Sequence, residues 1–212
     1  MIPQKKAIKG LYAVTPDTAD TALLQSMTAA AIRGGAGIVQ YRNKTASPAL
    51  RRTQAQALLD VCNQLGAMLL INDHVDLAVE IGAHGAHIGG GDGSLEQARK
   101  CLGDSRIIGV SCYKELARAE AAAEGGADYI AFGSFYASSV KPSAVRAPLS
   151  LLGVARVYGL PIVAIGGITP DNAGALIAAG ADAVAVISAL YSAPDIAAAA
   201  KNFCQLFEAN PS

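Results

Sequence analysis

PIVAIGGITPDNAGALIAAGADAVAVISAL, residues 161–190, holds two short apolar runs, PIVAIGG (161–167) and AVAVISA (183–189), on either side of an Ala- and Leu-rich segment. Each run is strand-sized and almost continuously apolar, as strands buried on both faces of a parallel sheet are. The segment between them opens at Thr169-Pro170, a capping residue followed by proline at the first helical position. It closes at Gly180, where a helix ends readily. Strand, helix and strand in this order predict a parallel crossover unit.

The same unit recurs toward the N-terminus. Further strand candidates are LYAVT (11–15), GIVQYR (37–42), MLLIND (68–73), GAHIG (85–89), RIIGVSC (106–112) and YIAFGSF (129–135). Helix starts are marked by Ser47-Pro48 and by Ser94 with Gln97, a capping-box spacing. Several helices return to the next strand through one step: Gly35-Ala36-Gly37, Gly82-Ala83-His84, Gly126-Ala127-Asp128 and Gly180-Ala181-Asp182. An αβ turn repeated around a barrel gives such an echo. Eight units without a second compositional zone predict an α/β fold, a single-domain (β/α)8 TIM barrel spanning residues 1–212. An open doubly wound sheet satisfies the same pattern.

Composition fits this reading. A chain of 212 residues suits one domain, and 52% hydrophobic residues can fill a large core. Formal net charge is zero, so no nucleic-acid or membrane surface is implied. An anionic ligand then has to be held by a local cluster. Cys62, Cys101, Cys112 and Cys204 show no CxxC spacing, which predicts reduced thiols in a cytoplasmic protein. The start MIPQKKAIKG lacks the apolar run of an ordinary secretory signal. No apolar run is long enough to span a membrane.

Polar residues gather where the strands end. Gln40, Arg42, Asn43 and Lys44 close the second run, and Asn72-Asp73 the third. Gly89-Gly90-Gly91-Asp92 follows the fourth, Ser111 ends the fifth, and Ser138, Ser139 and Lys141 follow the sixth. Gly166-Gly167 and Ile187-Ser188 end the last two. In a barrel these ends converge on the face where active sites sit. Arg42, Lys44 and Lys141 suit phosphate oxygens. Asp73 and Asp92 are hard ligands of the kind that hold Mg2+ against a polyphosphate. The glycine-rich ends of the last two strands resemble a backbone phosphate site.

Each feature also has a plain structural explanation. Either Asp alone can be a solvated loop residue, and Gly166-Gly167 can serve tight packing. His84 and His87 are spaced for a metal but placed by the pattern at the entry of a strand, the wrong end for this mouth. His74 reads as a first-turn helix residue. Cys112 has no evident activating His.

The stretches LYAVTPD, VQYRNK, INDHVDLAVEIGAHGAHIGGGD, IIGVSCY, DYIAFGSFYASSVKP and PIVAIGGITPDNAGALIAAGADAVAVISAL together resemble the thiamine-phosphate synthase family over essentially the full length. The resemblance implies a transferase of thiamine biosynthesis with Mg2+ as its cofactor and small-molecule substrates. It would condense a pyrimidine diphosphate with a thiazole phosphate and release pyrophosphate. The resemblance assigns Gln40, Arg42 and Lys44 to the pyrimidine diphosphate, with Asn72, Ser111 and Lys141 at the diphosphate. Asp73 and Asp92 match metal ligands. Ser138 stands where the family has a threonine near the thiazole phosphate, and Gly166, Gly167, Ile187 and Ser188 match its backbone anchor. Arg42, Lys44, Ser111 and Lys141 are the residues expected to act in catalysis. Gly90, Ser134, Ala137 and Val140 depart from the family's usual residues.

The implied reaction is a dissociative substitution that needs no strong base or protein nucleophile, and the sequence offers neither. A thiazole tautomerase-like relative, a non-catalytic thiazole-phosphate or thiamine-phosphate binding protein and a sugar-phosphate isomerase are the rival readings. Retention of Arg42, Lys44, Asp73, Asp92 and Lys141 weighs against the first. Gly90 and Val140 would favour the second, and the third lacks a convincing base. The 135–148 connection is long enough for a lid. The sequence is compatible with a homo-oligomer and does not set the oligomeric state.

Overall fold

In a computed structural model, residues 7–89, 93–137 and 146–209 are described. Eight strands, β1 (Gly10–Val14), β2 (Ile38–Tyr41), β3 (Met68–Asn72), β4 (Gly85–Ile88), β5 (Ile107–Tyr113), β6 (Tyr129–Phe132), β7 (Ile162–Ile165) and β8 (Ala183–Val186), pair in sequence order into a closed barrel. Every neighbouring pair is parallel, and Gly10 faces Ala183 and Tyr12 faces Ala185 where β1 meets β8. That closure excludes the open sheet.

The helices are α1 (Thr21–Arg33), α2 (Pro48–Leu65), α3 (Val75–Ile81), α4 (Leu95–Leu102), α5 (Leu116–Glu124), α6 (Ser150–Ala155), α7 (Pro170–Ala178), α8 (Ser188–Tyr191) and α9 (Ile196–Glu208). Among the described residues, no helix is long and apolar enough to cross a membrane. Ser47 and Ser94 cap α2 and α4 by accepting the Leu50 and Gln97 N–H groups. Asn172 reaches back to accept the Thr169 N–H at the start of α7.

Strand side chains alternate across the sheet, as the two-residue period requires. Tyr12, Val14, Ile38, Leu70, Tyr129 and Val163 fill the barrel interior. Leu11, Ala13 and Val184 pack outward against one group of helices, and Val39, Leu69 and Ile71 against another. Both faces are therefore buried, which explains the unbroken apolar runs.

The repeated Gly-Ala step has a physical basis. Gly35, Gly82, Gly126 and Gly180 all sit at positive φ, where glycine is least strained. The following Ala36, Ala83, Ala127 and Ala181 N–H groups each return to a carbonyl in the last turn of the helix. The third residue then serves the preceding strand. Asp128 accepts the Ile108 N–H, Asp182 the Ile162 N–H, and His84 Nδ1 the Leu69 N–H. These acceptors satisfy strand-entry amides on the barrel floor, so His84 has a structural task far from the mouth.

The sixth strand is shorter than its apolar run predicts. It stops at Phe132 instead of reaching residue 135. A Cβ at Gly133 would lie 2.2 Å from the Ile165 carbonyl oxygen, so the chain passes hard against β7, while the Gly133 N–H still donates to the Tyr113 carbonyl at the end of β5. Most of the proposed lid, residues 138–145, lies outside the described residues.

Candidate active site

The C-terminal strand ends surround a cavity of about 390 Å3. Gln40, Arg42 and Lys44 reach it from the end of β2, Asn72 and Asp73 from β3, and Ser111 from β5. Gly166 and Ile187 line it at the ends of β7 and β8. Residues far apart in sequence thus share one opening, as the strand-end pattern predicts. Gly167 and Ser188 adjoin this wall but are not among its described lining residues. Ser138, Lys141 and Asp92 lie outside the described residues, as do Gly90 and Val140.

The cationic loop is built locally. Buried Thr15 both accepts the Arg42 N–H at 2.9 Å and donates to the Arg42 carbonyl at 3.0 Å, fixing the backbone where β2 ends. Asn43 turns inward and donates to the Thr18 carbonyl and to Gln54 Oε1. Its inward turn leaves its neighbours Arg42 and Lys44 facing the cavity. Asp17 accepts both the Lys44 N–H and an Arg42 N–H.

Asp73 occupies the left-handed region with φ 63°, a conformation Asp tolerates better than most residues. The turn is held by the Asp73 N–H donating to the His87 carbonyl at 2.9 Å and the His74 N–H donating to the Asn72 carbonyl at 2.7 Å. A smaller cavity of about 170 Å3 shares Lys44, Asn72 and Asp73 and adds Arg51 and His74. Among the described residues, no group of three or more His, Cys, Asp or Glu is arranged to hold a metal.

Gly166 and Gly167 have φ of 106° and 64°. A Cβ on Gly166 would lie 2.1 Å from Ser134 Oγ, and one on Gly167 2.2 Å from the Ala137 carbonyl oxygen. Their glycine character is thus demanded by the β6 connection packing over them, whatever ligand their amides meet.

His87 corrects the sequence reading. The sequence pattern places it at the entry of a strand, yet it lies on β4 near the mouth and lines the large cavity. Its Nε2 is 2.8 Å from Ser111 Oγ and its Nδ1 is 2.8 Å from the Tyr129 hydroxyl. Burial pushes the Tyr12 and Tyr129 phenols well above their usual pKa, so both stay protonated. Lys114 and Glu115, also in the lining, directly follow β5 and could have been found by the strand-end rule. Tyr12 and His87 sit in apolar runs that gave no such signal.

The fold and site define a (β/α)8 barrel whose C-terminal mouth joins cationic, carboxylate and hydroxyl groups. Residues 11–190 match the family described as Thiamine monophosphate synthase. A thiamine-phosphate synthase of Methylobacillus flagellatus is 54% identical over 200 residues, covering 94% of this chain and 96% of that protein. One of Nitrosospira multiformis is 51% identical over 205 residues, covering 96% and 88%. The solved thiamine phosphate pyrophosphorylase from Pyrococcus furiosus superimposes with a TM-score of 0.85 at 30% identity, covering 96% of this chain and 97% of that one. The chain belongs to the thiamine monophosphate synthase family.

Proposed function

We propose that this protein is a transferase that condenses a pyrimidine diphosphate with a thiazole phosphate, giving thiamine phosphate and pyrophosphate. The observation that carries the reading is the convergence of Arg42, Lys44, Asn72, Asp73 and Ser111 on one cavity. The bond between the pyrimidine's CH2 carbon and the diphosphate oxygen breaks, and the electron pair leaves with pyrophosphate. The thiazole nitrogen then forms the new bond to that carbon.

The protein's task in this step is electrostatic. Arg42 offers a planar fork to the departing diphosphate, while Lys44 and Lys141 act as point charges. Asn72 and Ser111 donate hydrogen bonds to the same group. Fixed donors that face developing charge lower a barrier without having to reorganise. Gln40 holds the pyrimidine ring, and the strand-end backbone at Gly166, Gly167, Ile187 and Ser188, with Ser138, anchors the thiazole phosphate. Holding both rings in line removes much of the entropic cost of their meeting.

The donor set fits a divalent cation. Asp73 lines the same cavity as Arg42 and Lys44, and one or two carboxylates with phosphate oxygens and waters make a usual Mg2+ shell. Asp73 and Asp92 would hold it. Bound Mg2+ would add positive charge next to the leaving diphosphate.

Identity near 50% with proteins named thiamine-phosphate synthase does not favour a tautomerase-like or purely binding role. Incubating the protein with both substrates and Mg2+ tests the function. Release of pyrophosphate together with thiamine phosphate is expected, and failure to form either would overturn the reading. A cytoplasmic setting and small-molecule substrates complete the proposal.

A further inference from the structure

Between Gln40 on one side of the barrel and Ser111 on the other lie three buried polar side chains, Tyr12, Tyr129 and His87. Hydrogen bonds of 2.8 Å join them in one line, from Gln40 Nε2 to the Tyr12 hydroxyl, to the Tyr129 hydroxyl, to His87 Nδ1, and from His87 Nε2 to Ser111 Oγ. Tyr129 reaches this position because Gly109 has no side chain. A Cβ there would lie 1.9 Å from Tyr129 Cζ.

Counting hydrogens gives the line a direction. An amide nitrogen only donates, so the Tyr12 oxygen accepts from Gln40. The Tyr12 hydrogen then goes to the Tyr129 oxygen, its other partner among the described residues. Tyr129 in turn donates to His87 Nδ1. A ring that accepts at Nδ1 carries its hydrogen on Nε2 and donates it to Ser111 Oγ. The Ser111 hydrogen is thereby directed away from His87 and toward the cavity that both residues line. A hydroxyl otherwise free to rotate becomes a fixed donor.

We propose that His87, held as the Nε2–H tautomer by Tyr129, Tyr12 and Gln40, is a positioning residue that orients the Ser111 hydroxyl as a donor to the bound substrate. The proposal rests on the reading of this cavity as the condensation site. It ties two substrate-facing groups together: reversing the Gln40 amide would reverse every bond down to Ser111. Preorganised donors of this kind act in the reaction step more than in binding.

The tautomer can be read directly. In the full-length protein labelled with 15N-histidine, two-bond 15N–1H spectra should show His87 protonated at Nε2 and bare at Nδ1. A His87→Gln variant identifies the signals. Tyr129→Phe keeps the ring and removes the link, and should lower kcat about tenfold while the KM for the thiazole phosphate stays within about twofold. In a Ser111→Ala background, the same change should alter kcat less than about twofold, since the line no longer ends on a hydroxyl.

An Nδ1–H or doubly protonated ring in the wild type would overturn the proposal. So would an equal kcat loss from Tyr129→Phe in both backgrounds. Should Tyr129→Phe not fold, the wild-type spectrum alone decides. Because the spectrum is taken without substrate, an Nε2–H ring in a protein that releases no pyrophosphate would uphold the hydrogen-bond line and overturn the proposed function.

Discussion

Asp17 Oδ1 accepts a 3.0 Å hydrogen bond from the Lys44 backbone N–H and lies 3.5 Å from Nη1 of Arg42. One carboxylate after β1 thus steadies both cationic residues at the end of β2. The ion pair is partly exposed and contributes little to global stability. Its consequence is local geometry. Asp17→Ala is expected to raise the KM for the pyrimidine diphosphate by about three- to tenfold and leave the melting temperature nearly unchanged. Steady-state kinetics beside a thermal melt checks both, and an unchanged KM would remove Asp17 from the site.

The cations proposed to act on the diphosphate should show up in turnover. Lys141→Ala is expected to lower kcat by roughly 10²–10³-fold, the typical cost of one preorganised charge-stabilising group. Arg42→Lys keeps the charge but loses the two-pronged grip, and about a tenfold loss in kcat/KM is expected. Pyrophosphate release measures both, and near-normal activity in Lys141→Ala would discredit that assignment.

Chelating Mg2+ should abolish pyrophosphate release while the circular dichroism spectrum and melting temperature stay as they were. The expectation follows from the large apolar clusters packed inside and outside the barrel, which bury most of the strand side chains. Full activity in excess chelator would contradict the metal role.

Gly109→Ala should destabilise the barrel by about 2 kcal/mol or more, because its Cβ would overlap the Tyr129 ring and the strands around it are fully packed. Urea denaturation measures the change. A stability equal to wild type would mean that Tyr129 can move aside at no cost.

Alkaline pH should weaken the fold. Burial pushes the Cys62 thiol up from 9.0 to about 12, and Cys112 likewise. In the unfolded chain these thiols ionise first, so their contribution is complete below about pH 9 and is lost as pH rises toward 12. Melting temperatures at about pH 8 and pH 10.5 should therefore differ, and Cys62→Ala should reduce the difference. At neutral pH, exposed Cys101 should react with a thiol reagent well before Cys62 or Cys112. Rapid labelling of Cys62 would show that the interface between α2 and the sheet opens easily.

Much of the fold is legible along the chain because its determinants are local. Apolar runs, Ser-Pro and Thr-Pro starts and the Gly-Ala step act within a few residues, and they mark nearly every element. Strand ends likewise announce the rim, since polar residues follow each apolar run. The conformation just past β6 is not set locally, since at Gly133 the chain runs so close to the β7 backbone that no Cβ would fit.

By itself, the sequence determined a repeated β/α architecture and nominated Gln40, Arg42, Lys44, Asn72, Asp73 and Ser111. Only the tertiary structure closed the barrel, gathered those residues at one cavity and gave His87 its place beside Ser111. The physical reason lies in burial on both faces. An unbroken apolar strand carries no alternation to say which side chains point inward, and partners such as Tyr12 and Tyr129 meet only when the sheet closes on itself in one register.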